Sequence, residues 1–198
     1  MCMPQPLMMP NMNYLDLVEV LETRNINFNK PFTQDFCDEV VNVLDKVITY
    51  DKLMNYKDDE KYIRITLSTP GGSIFALFEV LDKIETMKKL NYTIHCHVTS
   101  MAASCGFILF VSGNYRTISP MGFLLNHQGS SMSAGTVKEM EISLDLMKKI
   151  EAQLNDYIRA NTTLSEDEIM RPYRTNTDVW YTSQDALDLD LVDKITNL

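Results

Sequence analysis

Basic residues are in short supply: 18 Lys and Arg stand against 27 Asp and Glu in 198 residues, a formal charge of −9. Without a cationic surplus to displace counterions from phosphates, the balance argues against a general nucleic-acid binder, and it leaves room only for a local basic patch. Long apolar runs are also missing. The longest, Phe107 to Val111, falls far below the roughly 20 residues of a membrane helix, so no membrane partner is expected. Met1 to Tyr14 has neither a basic start nor a continuous apolar stretch, so no secretory signal is expected. Cys2, Cys37, Cys96 and Cys105 form no CxxC and no pairing pattern. They read as reduced thiols of a cytoplasmic protein, with no metal site. No Gly-Lys-Ser/Thr follows a glycine-rich turn, so the chain has no nucleotide-binding motif and no cofactor of its own.

What is present is the composition of an ordinary globular domain, 45% hydrophobic and 23% charged. The prolines at 4, 6 and 10 alternate with methionines, which predicts a flexible N-terminal arm over residues 1–23 and a single domain over 24–198. From Arg24 onward, strand-like and helix-like stretches alternate. Arg24–Phe28, Ile63–Leu67, Tyr92–Thr99, Tyr115–Ile118, Phe123–His127 and Leu191–Ile195 have strand character. Helices are predicted after Thr33, with Tyr50–Glu60 as a polar connection, then after Ser73, over Ser104–Val111, over Gly135–Ala160, after Ser165 and over Ser183–Leu187. That rhythm predicts an α/β fold with a largely parallel sheet.

Two strand-to-helix turns are candidates for chemistry, because ligands of open α/β sheets bind where strands end. At Pro70-Gly71-Gly72-Ser73 the glycines allow a sharp turn whose N–H groups suit an anion or a developing oxyanion. A plain connecting turn would look the same. At Ala102-Ala103-Ser104-Cys105-Gly106 a serine stands among residues with almost no side chain. It fits an ordinary helix cap as well as a nucleophile, and it lacks the two flanking glycines of a GxSxG elbow. A serine nucleophile needs a base. His95 and His97 lie two apart on one strand face and read as structural. His127 closes a strand and is the better candidate. Spacing alone does not select the orienting carboxylate.

Taken together, Ser68-Thr69-Pro70-Gly71-Gly72-Ser73, Met101-Ala102-Ala103-Ser104-Cys105-Gly106, Asn126-His127-Gln128 and the tail around Asp178, Tyr181-Thr182, Asp185-Ala186 and Leu191-Val192-Asp193 resemble the ClpP family, the proteolytic subunits of Clp proteases. The likeness runs from Arg24 to Ile195. It implies a serine endopeptidase with Ser104 as nucleophile, His127 as base and Asp178 as its orienting partner. The backbone N–H groups of Gly72 and Cys105 would form the oxyanion hole. It further implies a ClpP/crotonase-type α/β head with a long handle helix at about 135–160, and an extended strand over Gly129–Ala134. Assembly would be into heptameric rings, two of them stacked into a tetradecamer. An AAA+ unfoldase of the Clp type would spend ATP to feed unfolded polypeptide into the chamber.

The chain departs from the family pattern at several places. Thr177 stands where an arginine is common, no proline follows Gln128, and Cys105 replaces a usual methionine. The family implication also leaves room for a non-catalytic ring subunit, a viral processing peptidase working without an ATPase, or a crotonase-type enzyme acting on a thioester.

Overall fold

A computed structural model describes residues 14–130 and 133–197. The first helix, α1, covers Tyr14–Thr23 and inserts Val20 into the core. The expected flexible arm is therefore corrected over 14–23: the helix-breaking prolines all lie earlier, and an apolar contact holds this stretch. Residues 1–13 lie outside the described residues. β1 (Asn25–Phe28) follows, and Thr33 then caps α2 (Gln34–Met54) by accepting the Phe36 N–H. Of the polar connection expected over Tyr50–Glu60, Tyr50–Met54 is instead the last turn of α2, where Asp51 is buried as an ion-pair partner, and the polar connection begins at Asn55.

β2 (Tyr62–Thr69) leads through the Gly71-Gly72 turn to α3 (Ile74–Lys89), capped by Ser73 as its sequence predicts. The long strand β3 (Thr93–Ala103) runs into α4 (Cys105–Val111). Then come β4 (Tyr115–Ile118), β5 (Phe123–Asn126) and α5 (Val137–Asn161). Two short helices, α6 (Glu166–Ile169) and α7 (Arg171–Thr175), precede β6 (Val179–Thr182), α8 (Ser183–Asp188) and β7 (Lys194–Ile195). The closing strand is thus shorter than the expected Leu191–Ile195. Gly129, Ser130, Ser133 and Ala134 pair with no strand of this chain among the described residues, and residues 131–132 of the extended segment expected over Gly129–Ala134 lie outside the described residues.

The fold is α/β, as the alternation predicts. The strand order is β1-β2-β3-β4-β7, all parallel. β2 occupies one edge of β3 along its length, so β4 and β5 share the other edge in succession: β4 against His95–Val98, β5 against Met101–Ala103. Among the described residues only β6 runs antiparallel, along β5. On one face Ile63, Ile65, Leu67, Ile94, Cys96 and Val98 merge with apolar side chains of α2, α3 and α4 into one core. The opposite face is polar. There Arg64, His95, Thr117, His97 and Ser119 form a hydrogen-bonded row, which gives both histidines the structural part expected of them.

A buried ion pair ties the beginning of the fold together. Arg24 has φ of 54° and donates to both oxygens of Asp51 at 2.8 and 2.6 Å. The Tyr92 hydroxyl donates to the same carboxylate at 2.7 Å. This joins the α1–β1 junction, α2 and the start of β3 at one point.

Candidate active site

Two strand registers, joining β3, β5 and β6, build the site. Ala103 pairs with Leu125, and the Ser104 N–H donates to the Leu125 carbonyl at 3.0 Å. That bond brings the end of β3 against β5 just before Asn126 and His127. Asn126 in turn pairs antiparallel with Val179. In an antiparallel pair the next residue on one strand faces the previous residue on the other, so His127 lies beside Asp178. Their side chains approach to 3.6 Å between Nδ1 and Oδ1. The carboxylate of Asp178 is 58% exposed, while the His127 ring is 26% exposed. Ser104 and His127 line one small cavity together. Sequence inspection did not foresee β6, and β6 is the element that delivers Asp178.

Ser104 is no ordinary cap. Its backbone sits at φ 57° and ψ −120°, and its side chain makes no capping hydrogen bond. A non-glycine residue in that region is strained by about 1–3 kcal/mol, and such strain clusters where a side chain must be presented for chemistry. The sharp turn is the geometry of a nucleophile elbow, reached without flanking glycines. Gly71 supplies the room from another strand end. Any Cβ on Gly71 would lie 2.6 Å from the Ser104 Cβ and 2.7 Å from the Ala103 carbonyl oxygen, and its own φ is +95°. On the far side, a Cβ on Gly72 would meet the Phe32 backbone at 2.6 Å. Phe32 and the turn exchange backbone bonds: its N–H donates to Gly71 and its carbonyl accepts from Ser73. The turn is thus clamped between the β1–α2 loop and the serine.

The Cys105 thiol donates to the Gly72 carbonyl at 3.2 Å. Burial pushes this thiol up to about 11, against the opposing pull of the Gly72 and Cys105 backbone N–H groups and the Ser104 side chain. A thiol held that high is a packing group, not a nucleophile. Cys37 and Cys96 are also free and buried, each pushed up to about 12 mainly by burial. Cys2 lies outside the described residues.

A family model described as Clp protease matches residues 11–198. The chain belongs to the Clp protease family. A curated relative, the ATP-dependent Clp protease proteolytic subunit 2 of Tropheryma whipplei (strain Twist), is 30% identical over 145 residues, covering 72% of this chain and 78% of the relative. The chain is accordingly a protease, a hydrolase of the serine peptidase kind, and its sheet and helices are those of the ClpP/crotonase-like fold. Among the described residues, no helix is long and apolar enough to cross a membrane.

The cavity holding Ser104 and His127 contains residues that sequence inspection passed over. Asn126, Glu151, Asn155 and Tyr173 provide its polar groups, and Ile74, Leu77, Ile108, Leu154 and Ile158 its apolar wall. A signal existed for two of them: Glu151 and Asn155 stand four apart on α5, and Ile158 follows three later, which places all three on one helix face. The Glu151 carboxylate accepts the Gly129 N–H at 3.2 Å.

Proposed function

We propose that the chain is a serine endopeptidase that cleaves unfolded polypeptide with Ser104, His127 and Asp178, inside a chamber formed by stacked heptameric rings. The observation that carries this reading is the strained Ser104 turn, opening on the same cavity as His127. In the reaction, His127 takes the Ser104 hydroxyl proton as Oγ attacks the scissile carbonyl carbon. The carbonyl oxygen becomes an oxyanion that the Gly72 and Cys105 N–H groups receive. The imidazolium then gives its proton to the leaving amine, and water repeats the sequence on the acyl-enzyme. Asp178 holds the His127 tautomer and offsets the imidazolium charge. No metal or other cofactor enters these steps.

The handle reading draws support from α5. Its first half stands clear of the body, with Val137 at 70%, Ile142 at 57% and Leu144 at 56% exposure. Apolar side chains left open along a helix mark an interaction surface, as ring stacking requires. Feeding by a Clp-type AAA+ unfoldase, which would use the ATP, and a cytoplasmic setting follow from the family. A resting subunit is the second reading. It is favoured by the 3.6 Å separation of His127 from Asp178, longer than the roughly 2.7–2.9 Å of a charge-assisted bond. Catalytic hydrogen bonds often tighten only in the working complex.

Size-exclusion light scattering, with each peak then treated with a fluorophosphonate, tests both readings. Labelling of a ring-sized peak that disappears in Ser104→Ala is the expected result. A ring-sized particle that refuses the probe favours the resting or non-catalytic subunit, and a labelled monomer removes the chamber.

A further inference from the structure

The Gly71-Gly72 turn is bonded to Phe32 along one side. The Phe32 N–H donates to the Gly71 carbonyl at 2.9 Å, and the Ser73 N–H donates to the Phe32 carbonyl at 2.8 Å. Every peptide bond of the turn is trans, and in a planar trans unit the C=O and N–H point in opposite directions. With the Gly71 carbonyl and the Ser73 N–H both turned to Phe32, the Gly72 N–H and the Gly72 carbonyl must both leave on the other side. That side belongs to α4, because the Cys105 thiol donates to the Gly72 carbonyl there at 3.2 Å. The Gly72 N–H makes no hydrogen bond among the described residues. Burial pushes the thiol up to about 11 while the Gly72 N–H pulls it back, which agrees with a free donor on that side.

Little else ties the two chain ends together. The pairing of β2 with β3 ends at Thr69 and Ala102, three residues before Gly72 and Cys105 respectively. Beyond that ladder, the thiol makes the one hydrogen bond between the two ends among the described residues. Cys105 is 3% exposed, so water offers the Gly72 carbonyl no ready substitute donor. A thiol that does not ionise near neutral pH keeps its hydrogen for this bond throughout turnover.

Resting on the peptidase reading above, we propose that the Cys105 side chain is a positioning residue for the oxyanion hole: its S–H, donated to the Gly72 carbonyl, sets the distance between the Gly72 and Cys105 N–H groups so that both reach one oxygen. The sulfur touches no reacting atom. Oxyanion donors must stand about 2.7–3.1 Å from the oxygen as its charge develops. A strap that limits their drift therefore acts on the transition state and hardly on the bound substrate.

The test compares Cys105→Ala, Cys105→Val and Cys105→Ser with Cys96→Ala, which deletes another fully buried thiol, in the middle of β3. Peptide hydrolysis by the assembled protein gives kcat and KM. Inhibition is measured with a peptide aldehyde, whose hemiacetal oxygen enters the hole, and with the matching alcohol, which forms no adduct. Cys105→Ala should lower kcat about tenfold with KM within about twofold, and should weaken the aldehyde, not the alcohol, by a similar factor. Cys105→Val fills the space without a donor and should show the same loss, which keeps the test readable if the alanine protein folds poorly. Cys105→Ser returns a donor and should recover part of kcat and of aldehyde binding together. Cys96→Ala should lower the urea midpoint and leave kcat alone. Native kcat in Cys105→Ala or Cys105→Val, a loss carried equally by KM and the alcohol, or no recovery with serine would mean that the thiol only fills space. Each of those results overturns the inference and leaves the peptidase reading standing while Ser104 still reacts with a fluorophosphonate. Native protein that neither cleaves nor labels overturns both.

Discussion

Replacing Gly71 by alanine adds one methyl group, and the structure says where it goes. The new Cβ would stand 2.6 Å from the Ser104 Cβ, 2.7 Å from the Ala103 oxygen and 3.1 Å from the Cys105 nitrogen. These separations are well inside the roughly 3.5–4.0 Å of an unstrained carbon contact. Two of the three contacts are with backbone, so relief must come from moving the chain. Alanine at φ +95° also adds about 1–2 kcal/mol. With the overpacking, which typically costs about 1–3 kcal/mol, the expected destabilisation is about 2–5 kcal/mol. The part that escapes as movement falls on Ser104 and the Cys105 N–H. A displacement near 1 Å at a reacting group lowers rate by about 10²-fold.

Urea unfolding and the second-order rate of fluorophosphonate labelling at Ser104 measure the two effects separately. Gly129→Ala is the internal comparison. Its Cβ would meet only the ends of two flexible side chains, Met147 Cε at 3.2 Å and Glu151 Oε1 at 3.7 Å, so it should change both readings far less. A Gly71→Ala protein that unfolds at the wild-type urea concentration and labels at the wild-type rate would refute the claim that Gly71 sets the serine turn.

Asp178→Asn should lower peptide turnover by about 10³–10⁴-fold through the wrong His127 tautomer, while leaving the melting temperature nearly unchanged because the side chain is exposed. Full activity in that variant removes Asp178 from the site. Asp51→Ala strands the Arg24 guanidinium and the Tyr92 hydroxyl, and should destabilise by about 3–5 kcal/mol. The double change Arg24→Met with Asp51→Leu should recover most of that loss, and a simple sum of the single effects would count against the pair. Burial holds His97 down to about 4 from an ordinary 6.5, with His95 and Arg64 adding to the effect. The unfolded chain then binds a proton between these values that the folded chain refuses. The stability is complete above pH 6.5 and falls by about 3 kcal/mol as pH drops to 4. Urea titrations from pH 7 to 4 should show this slope flattened in His97→Gln.

Local signals were legible where local chemistry decides. Thr33 and Ser73 cap the helices their positions predict, since a cap is settled within four residues. The alternation of Ile63, Ile65 and Leu67 marks the packed face of β2 for the same reason. The site was readable only as a set of residue types. The turn at Ser104 is shaped by Gly71, a partner 33 positions away in the chain that no window around the serine contains. Asp178 could not be chosen among the acids because β6 is a strand by virtue of pairing with β5, a long-range fact with little local pattern over four residues. The helix over 14–23 was obscured by the prolines before it.

Among the described residues the unpaired borders of the sheet are short. β1 offers four residues, with Asn25 and Asn27 linked by their own side chains, β6 offers four beyond β5, and β7 offers two. A row of free N–H and C=O groups that brief is a poor template for another strand, and asparagine is a poor strand former. Newly made chains crowded together therefore have little opportunity to polymerise edge to edge into insoluble ribbons.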